Sequence, residues 1–216
     1  MAHVFITGGT GYIGRPLISA LLERRHPVRA LVRSASLGRV PHGAEPVVGD
    51  ALNGETYADA VRPGDTFIHL VGTPHPGPAK VKEFEAVDWV AAQHAIRVAT
   101  DRKVAHFIYL SVAHPAPVMI PYQEVRKRGE AALRASGLPF TAIRPWYVLG
   151  PGHRWPLLMV PLYAIWERMP SKREMALRLG LVTLPQMVSA LVQATENPAS
   201  VARIVEVPEM RTGWTG

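Results

Sequence analysis

One stretch near the start constrains this chain more than any other. His3-Val4-Phe5-Ile6-Thr7 is a short apolar run that leads straight into Gly8-Gly9-Thr10-Gly11-Tyr12-Ile13-Gly14. Leu17, Ile18, Leu21 and Leu22 follow at helical spacing. Strand, glycine turn and amphipathic helix in immediate succession form the context in which a G-x-G-x-x-G pattern carries meaning. Gly9, Gly11 and Gly14 fill that pattern. One glycine permits the tight turn, one lets the backbone approach a pyrophosphate, and one lets helix and strand pack closely. The open amides and dipole at the helix N-terminus then receive phosphate groups. The expected ligand is a dinucleotide.

The rest of the composition narrows the class. At 216 residues the chain fits one domain over 1–216, with a substrate-side extension spanning about 145–200. Hydrophobic residues make up 48% and charged residues 19%, which suits a globular enzyme. The absence of cysteine excludes a disulfide framework, a thiol nucleophile and a cysteine metal site, and it fits a cytoplasmic protein. The N-terminal apolar run is short and opens the glycine motif, so it does not read as a signal peptide. Leu157–Trp166 is apolar but too short to span a bilayer, and Pro161 interrupts it. The net charge of +7 raises the question of nucleic acid. Its Lys and Arg residues are scattered, however, and no nucleic-acid motif accompanies them, so the charge reads as favouring a polyanionic cofactor such as NADPH. None of the nine histidines has metal-ligand spacing with carboxylates, and no metal is expected.

Along the chain, strands are expected at Val28–Val32, Pro46–Val48, Thr66–Val71, Phe107–Leu110 and Phe140–Ile143, with a last one in Val201–Val207. Helices are expected at Glu55–Val61, Val81–Thr100, Tyr122–Ala135, Leu157–Arg168 and Pro185–Glu196. In the longest of these, Phe84, Val87, Val90, Ala91, His94 and Val98 share roughly one side. Alternating strands and helices imply a doubly wound parallel α/β sheet, the Rossmann fold, here with a small C-terminal helical extension. Strands apolar on both faces agree with a sheet covered by helices on both sides.

Several further motifs belong with the glycine turn: Val48-Gly49-Asp50, Leu70-Val71-Gly72, Tyr109-Leu110-Ser111, the run Ser136–Thr141 leading to Arg144-Pro145, and Gly150-Pro151-Gly152. Together they make the chain resemble the short-chain dehydrogenase/reductase superfamily over nearly its whole length. The likeness is strongest to its extended and atypical branches, which include NAD-dependent epimerases/dehydratases and NmrA-like proteins. The resemblance implies that Gly8, Gly9, Thr10, Gly11, Tyr12, Ile13 and Gly14 hold the cofactor. It further implies that Asp50 and Leu52 lie by the adenine, that Leu70, Val71 and Gly72 line the nicotinamide-side ribose, and that Pro145 to Val148 run beside the carboxamide. NAD-binding relatives usually carry an acidic residue at the end of the second strand. Here that strand ends Leu31-Val32-Arg33-Ser34, and Arg15 adds a second cation. A guanidinium there pairs with a ribose phosphate, so NADP(H) is favoured over NAD(H).

Oxidoreductases of the superfamily use Tyr-x-x-x-Lys on one helix face, with a serine after the fifth strand. The matching segment here is Tyr122-Gln123-Glu124-Val125-Arg126-Lys127. Arg126 stands at the lysine position and keeps the charge, but it cannot exchange a proton. Lys127 is turned about 100° away around the helix. Ser111 is the available serine, with His114 as an alternative polar group. Two readings stay open. Tyr122, Arg126 and Ser111 serve a reductase or epimerase-like reaction on a small carbonyl-type substrate, or the chain binds NADP(H) as a redox sensor or assembly factor with little turnover. On the substrate side, Trp146, His153, Arg154 and Trp155 follow the sixth strand at the end where ligands bind in open α/β sheets. They suit either a pocket wall or packing of the C-terminal helices. The apolar Trp155–Trp166 run offers a hydrophobic pocket or a subunit contact, leaving a homodimer open.

Overall fold

The structure, a computed structural model, describes residues 1–74, 76–152, 175 and 177–214. Strands β1 (Val4–Thr7), β2 (Val28–Val32), β3 (Glu45–Val48), β4 (Thr66–His69), β5 (His106–Leu110) and β6 (Phe140–Ile143) form where the β-branched and aromatic runs predict them. Between them lie α1 (Gly14–Glu23), α2 (Val81–Glu83), α3 (Val90–Asp101) and α4 (Ile120–Ser136). Strands β7 (Tyr147–Leu149) and β8 (Leu181–Thr183) come next, then α5 (Leu184–Glu196), β9 (Ala202–Val205) and α6 (Val207–Thr212). The main sheet is fully parallel, with order β3-β2-β1-β4-β5-β6-β9. The order reverses beside β1, so the crevice opens at the C-terminal ends of β1 and β4.

Strand alternation divides the core. Val4, Ile6, Ile68, Ile108 and Ile143 face α1, α5 and α6 and bury Leu17, Ile18, Leu21, Met187, Leu191 and Met210. Phe5, Phe67 and Phe107 face the other way, toward α3 and α4, in a ladder with ring centroids 5.2 and 5.1 Å apart. Removing one such ring costs about 3–5 kcal/mol. Two residues further along each strand, on the same face, the ladder turns polar. Thr7, His69 and Tyr109 are in register and all fully buried. The apolar core thus gives way to buried polar groups just below the crevice.

Three expectations change. Glu55–Val61 is two short 3₁₀ turns, Gly54–Thr56 and Ala58–Ala60, because the Asn53 side chain caps Glu55 N–H and Thr56 Oγ1 donates to the Asn53 carbonyl. These local bonds compete with an α-helix. The 81–101 stretch is helical but carries a π turn at Phe84–Trp89. Its buried face is Phe84, Asp88, Ala91, Ala92, Ala95 and Val98, while Val87, Val90 and His94 are only half-buried. Finally, β7 and β8 pair in parallel as a separate small sheet, Leu149 opposite Thr183, and α6 follows β9; none of these was legible from the short runs that form them. The expected helix Leu157–Arg168 lies outside the described residues. Among the described residues, no helix is long and apolar enough to cross a membrane, and no cluster of three metal-ligating side chains occurs.

Candidate functional site

The glycine turn builds one end of the crevice. Gly8 has φ +78°, and a Cβ there would come within 2.9 Å of the Leu70 carbonyl carbon. A Cβ on Gly14 would lie 2.4 Å from the Gly8 oxygen. Gly11 N–H donates to that same oxygen at 3.1 Å, which closes the turn. Helix α1 begins at Gly14 after Ile13, with no side-chain cap and no acidic residue in its first turn. An uncapped helix start that carries Arg15 and no carboxylate in its first turn, behind a glycine cradle, fits the pyrophosphate of a dinucleotide.

A cavity of about 490 Å³ extends from this turn. It collects Gly8, Gly11, Tyr12, Ile13 and Gly14, then Leu70, Gly72 and Thr73 after β4, Leu110 to Val112 after β5, Met119, Tyr122 and Arg126 of α4, and Pro145 to Val148 after β6. A second hollow, about 850 Å³, lies along the outer side of the turn and is lined by Thr10, Gly11, Tyr12, Arg15 and Arg39. Arg39 Nη2 donates to the Thr10 carbonyl at 3.3 Å. Arg33 is exposed at the start of the Ser34–Arg39 turn and lines neither hollow. Gly9 is buried under Ile18. Asp50 Oδ1 accepts from Leu52 N–H at 2.9 Å in the turn after β3, away from the lining of both hollows.

At the other end of the crevice, side chains do the building. Arg126 is 2% exposed and forms an ion pair with fully buried Asp88 at 2.6 Å. It also donates to the carbonyls of Leu110 (3.0 Å) and Val71 (3.4 Å). Its guanidinium carbon sits 5.1 Å from the Tyr122 ring centroid and 5.8 Å from that of Tyr109. Burial works against its charge, but Tyr122, Tyr109 and Asp88 outweigh it and hold the group above its ordinary value. His69 Nδ1 lies 2.8 Å from Thr7 Oγ1, and burial first, then the Arg126 charge, pushes it down to about 3. His69 is therefore a neutral structural group at ordinary pH.

Ser111 is also engaged. Its hydroxyl donates to Glu130 Oε1 at 2.7 Å. Arg144 clamps the same carboxylate through Nε (2.9 Å) and Nη2 (2.6 Å), and His114 Nε2 lies 3.4 Å from Oε1. Burial would raise Glu130, but the hydrogen bonds from His114, Arg144 and Ser111 prevail and hold it at about 2. His114 thus stands behind the cavity wall, against Glu130, and is not part of its lining. Trp146 does line the cavity, edge-on to Tyr147 with centroids 5.7 Å apart. His153, Arg154 and Trp155 lie outside the described residues. Asp88, Thr73, Glu130 and Arg39 were not singled out from the sequence. Asp88 carried one signal: it falls four residues after Phe84 and three before Ala91, at the spacing of the helix's apolar side.

The sequence model of an NAD(P)H-binding family matches residues 8–153. A divinyl chlorophyllide a 8-vinyl-reductase of Oryza sativa subsp. indica is 32% identical over 160 residues, covering 66% of this chain and 39% of the relative. The photosystem II assembly factor Ycf39 of Trieres chinensis is 29% identical over 144 residues, covering 65% of this chain and 44% of that one. The chain spans about two fifths of the length of these curated relatives. Among solved structures, the Bordetella bronchiseptica enzyme WbmH in complex with NAD+ superposes with a TM-score of 0.69 at 19% identity, covering 97% of this chain and 78% of that one. The family match shows that the chain belongs to the NAD(P)H-binding family, and the glycine cradle and the strand order agree with it.

Proposed function

We propose that this protein is an NADP(H)-dependent oxidoreductase acting on a small, largely apolar carbonyl or enone. The carrying observation is that one cavity joins the glycine turn, the Tyr122 side chain above Arg126, and the Pro145–Val148 wall. In this reading Gly8 to Gly14 hold the pyrophosphate, and Arg15, Arg39 and Arg33 face the ribose phosphate of NADP(H). Asp50 and Leu52 take the adenine edge, while Leu70, Val71, Gly72, Pro145 and Val148 bound the nicotinamide half. When bound, the nicotinamide supplies or accepts hydride. Tyr122 exchanges the proton at the substrate oxygen. Arg126 stays charged and fixed beneath the phenol ring instead of reaching the ribose, because Asp88 and two backbone carbonyls hold its fork. Ser111 offers its lone pairs to a ligand, since its proton points to Glu130. The apolar lining from Leu70, Leu110, Val112, Met119 and Trp146 favours an uncharged substrate.

A second reading has its own observation. Arg126 and Ser111, the partners of Tyr122 in the superfamily's chemistry, both direct their hydrogen bonds internally. A protein that binds NADP(H) with little turnover, in a sensing or assembly role, is compatible with that, and one relative is an assembly factor. One experiment separates the readings: titration with NADPH and NADH, followed by nicotinamide absorbance over a panel of small carbonyls and enones. The reductase reading expects NADPH consumption that falls by about 10²- to 10⁴-fold in Tyr122→Phe. Tight binding without consumption across the panel favours the second reading.

A further inference from the structure

A carboxylate in the middle of an amphipathic helix normally faces solvent. Asp88 does the opposite. It stands at helical spacing between Phe84 and Ala91 on the inward face, where it is fully buried. Its Oδ1 accepts from Arg126 Nη2 at 2.6 Å. Its Oδ2 accepts from both Thr73 N–H (2.9 Å) and Thr73 Oγ1 (2.6 Å). Arg126 in turn reaches the Leu110 carbonyl at 3.0 Å. One buried carboxylate therefore ties together the segment after β4, the end of β5, and α4. The fit leaves no slack: a Cβ on Gly72 would fall 2.2 Å from Arg126 Nη2 and 3.1 Å from Asp88 Oδ1. Leu70, Gly72, Thr73 and Leu110 line the same cavity as Tyr122.

We propose that Asp88 is a positioning residue for the Tyr122 half of the cleft. It fixes Arg126 and Thr73, and through them the wall that receives the nicotinamide end of the cofactor. This rests on the reading that the cleft takes a dinucleotide. A buried ion pair is a poor source of net stability, because desolvation offsets its attraction. Its value here is geometric, as it joins three segments that no backbone ladder joins beyond the strand ends. None of its hydrogen bonds reaches the glycine turn or Arg39. The two halves of the cleft are thus separable by mutation.

The test compares NADPH with ADP, which carries the adenosine and pyrophosphate but no nicotinamide, on the full chain. Asp88→Asn is expected to weaken NADPH by about tenfold, the scale of one lost charged hydrogen bond, and ADP by less than about twofold. Thr73→Val keeps the ion pair and removes one anchor of Asp88, and should weaken NADPH by about threefold with ADP unchanged. It decides the matter should Asp88→Asn fail to fold. Unchanged NADPH affinity in both variants, or equal weakening of both ligands, overturns the proposal. A wild-type protein that binds neither ligand overturns the dinucleotide reading, and this inference with it.

Discussion

The two ends of the cleft are made of different material. At the glycine turn the working surface is backbone: close turns, an uncapped helix start, and side chains absent where a Cβ would collide. At the Tyr122 end it is two ion pairs largely withdrawn from solvent, Asp88 with Arg126 and Glu130 with Arg144, each carboxylate held by several hydrogen bonds. The first end offers shape and the partial charges of backbone groups. The second is a mesh in which removing one member strands the others. Such networks stabilise only when every member is satisfied.

That contrast can be broken most severely at Glu130. Glu130→Ala leaves Ser111 without its acceptor and Arg144 with the more distant Glu206 at 3.4 Å, and should cost about 3–5 kcal/mol in urea unfolding. A loss under about 1 kcal/mol would mean the mesh is not cohesive. Acid should act next. His69 and His106, with ordinary values of 6.5, are pushed down to about 3 and about 4 by burial first. The unfolded chain therefore takes up two protons near pH 6.5 that the folded chain refuses. Their contribution is complete above that pH and is lost as pH falls toward about 4 for His106 and about 3 for His69. Near pH 5 stability should drop by about 2.7 kcal/mol per pH unit, and His106→Gln should halve this slope. The glycine end comes third. Gly14→Ala forces its Cβ against backbone and should cost about 1–3 kcal/mol, with NADPH binding lost at the same time. A Gly14→Ala protein that binds NADPH normally would refute the cradle. The smallest effect belongs to the rim. Arg39→Ala should lower NADPH affinity by about threefold to tenfold and leave NADH unaffected. Arg33→Ala tests whether the exposed neighbour contributes as much.

The same contrast explains what the sequence disclosed. The fold was legible because the strands of the main sheet and most helices are local patterns, and the glycine turn because its parts are consecutive. Tyr122, Arg126 and Ser111 were legible as positions but not as states. Nothing in the order of residues indicates that Arg126 meets Asp88 or that Ser111 points at Glu130. Those partners are separated by 38 and 19 residues, and they meet only because β4, β5 and α4 converge at one sheet end. The 3₁₀ turns over 54–60 look like a helix in sequence because capping by Asn53 and Thr56 is a local competitor that periodicity ignores. Closeness to β2 in sequence favours Arg33 over Arg39, whereas the Ser34–Arg39 turn carries the later arginine back to Thr10.

The small sheet of β7 and β8 has a consequence for how this protein could be remodelled. Val182, fully buried, lies opposite Val148, which lines the cavity. Parallel neighbours cannot be joined by a tight turn, so the brace behind this wall comes from a distant part of the chain. A change of volume at Val182 would therefore reshape the cavity wall without altering any residue that lines it.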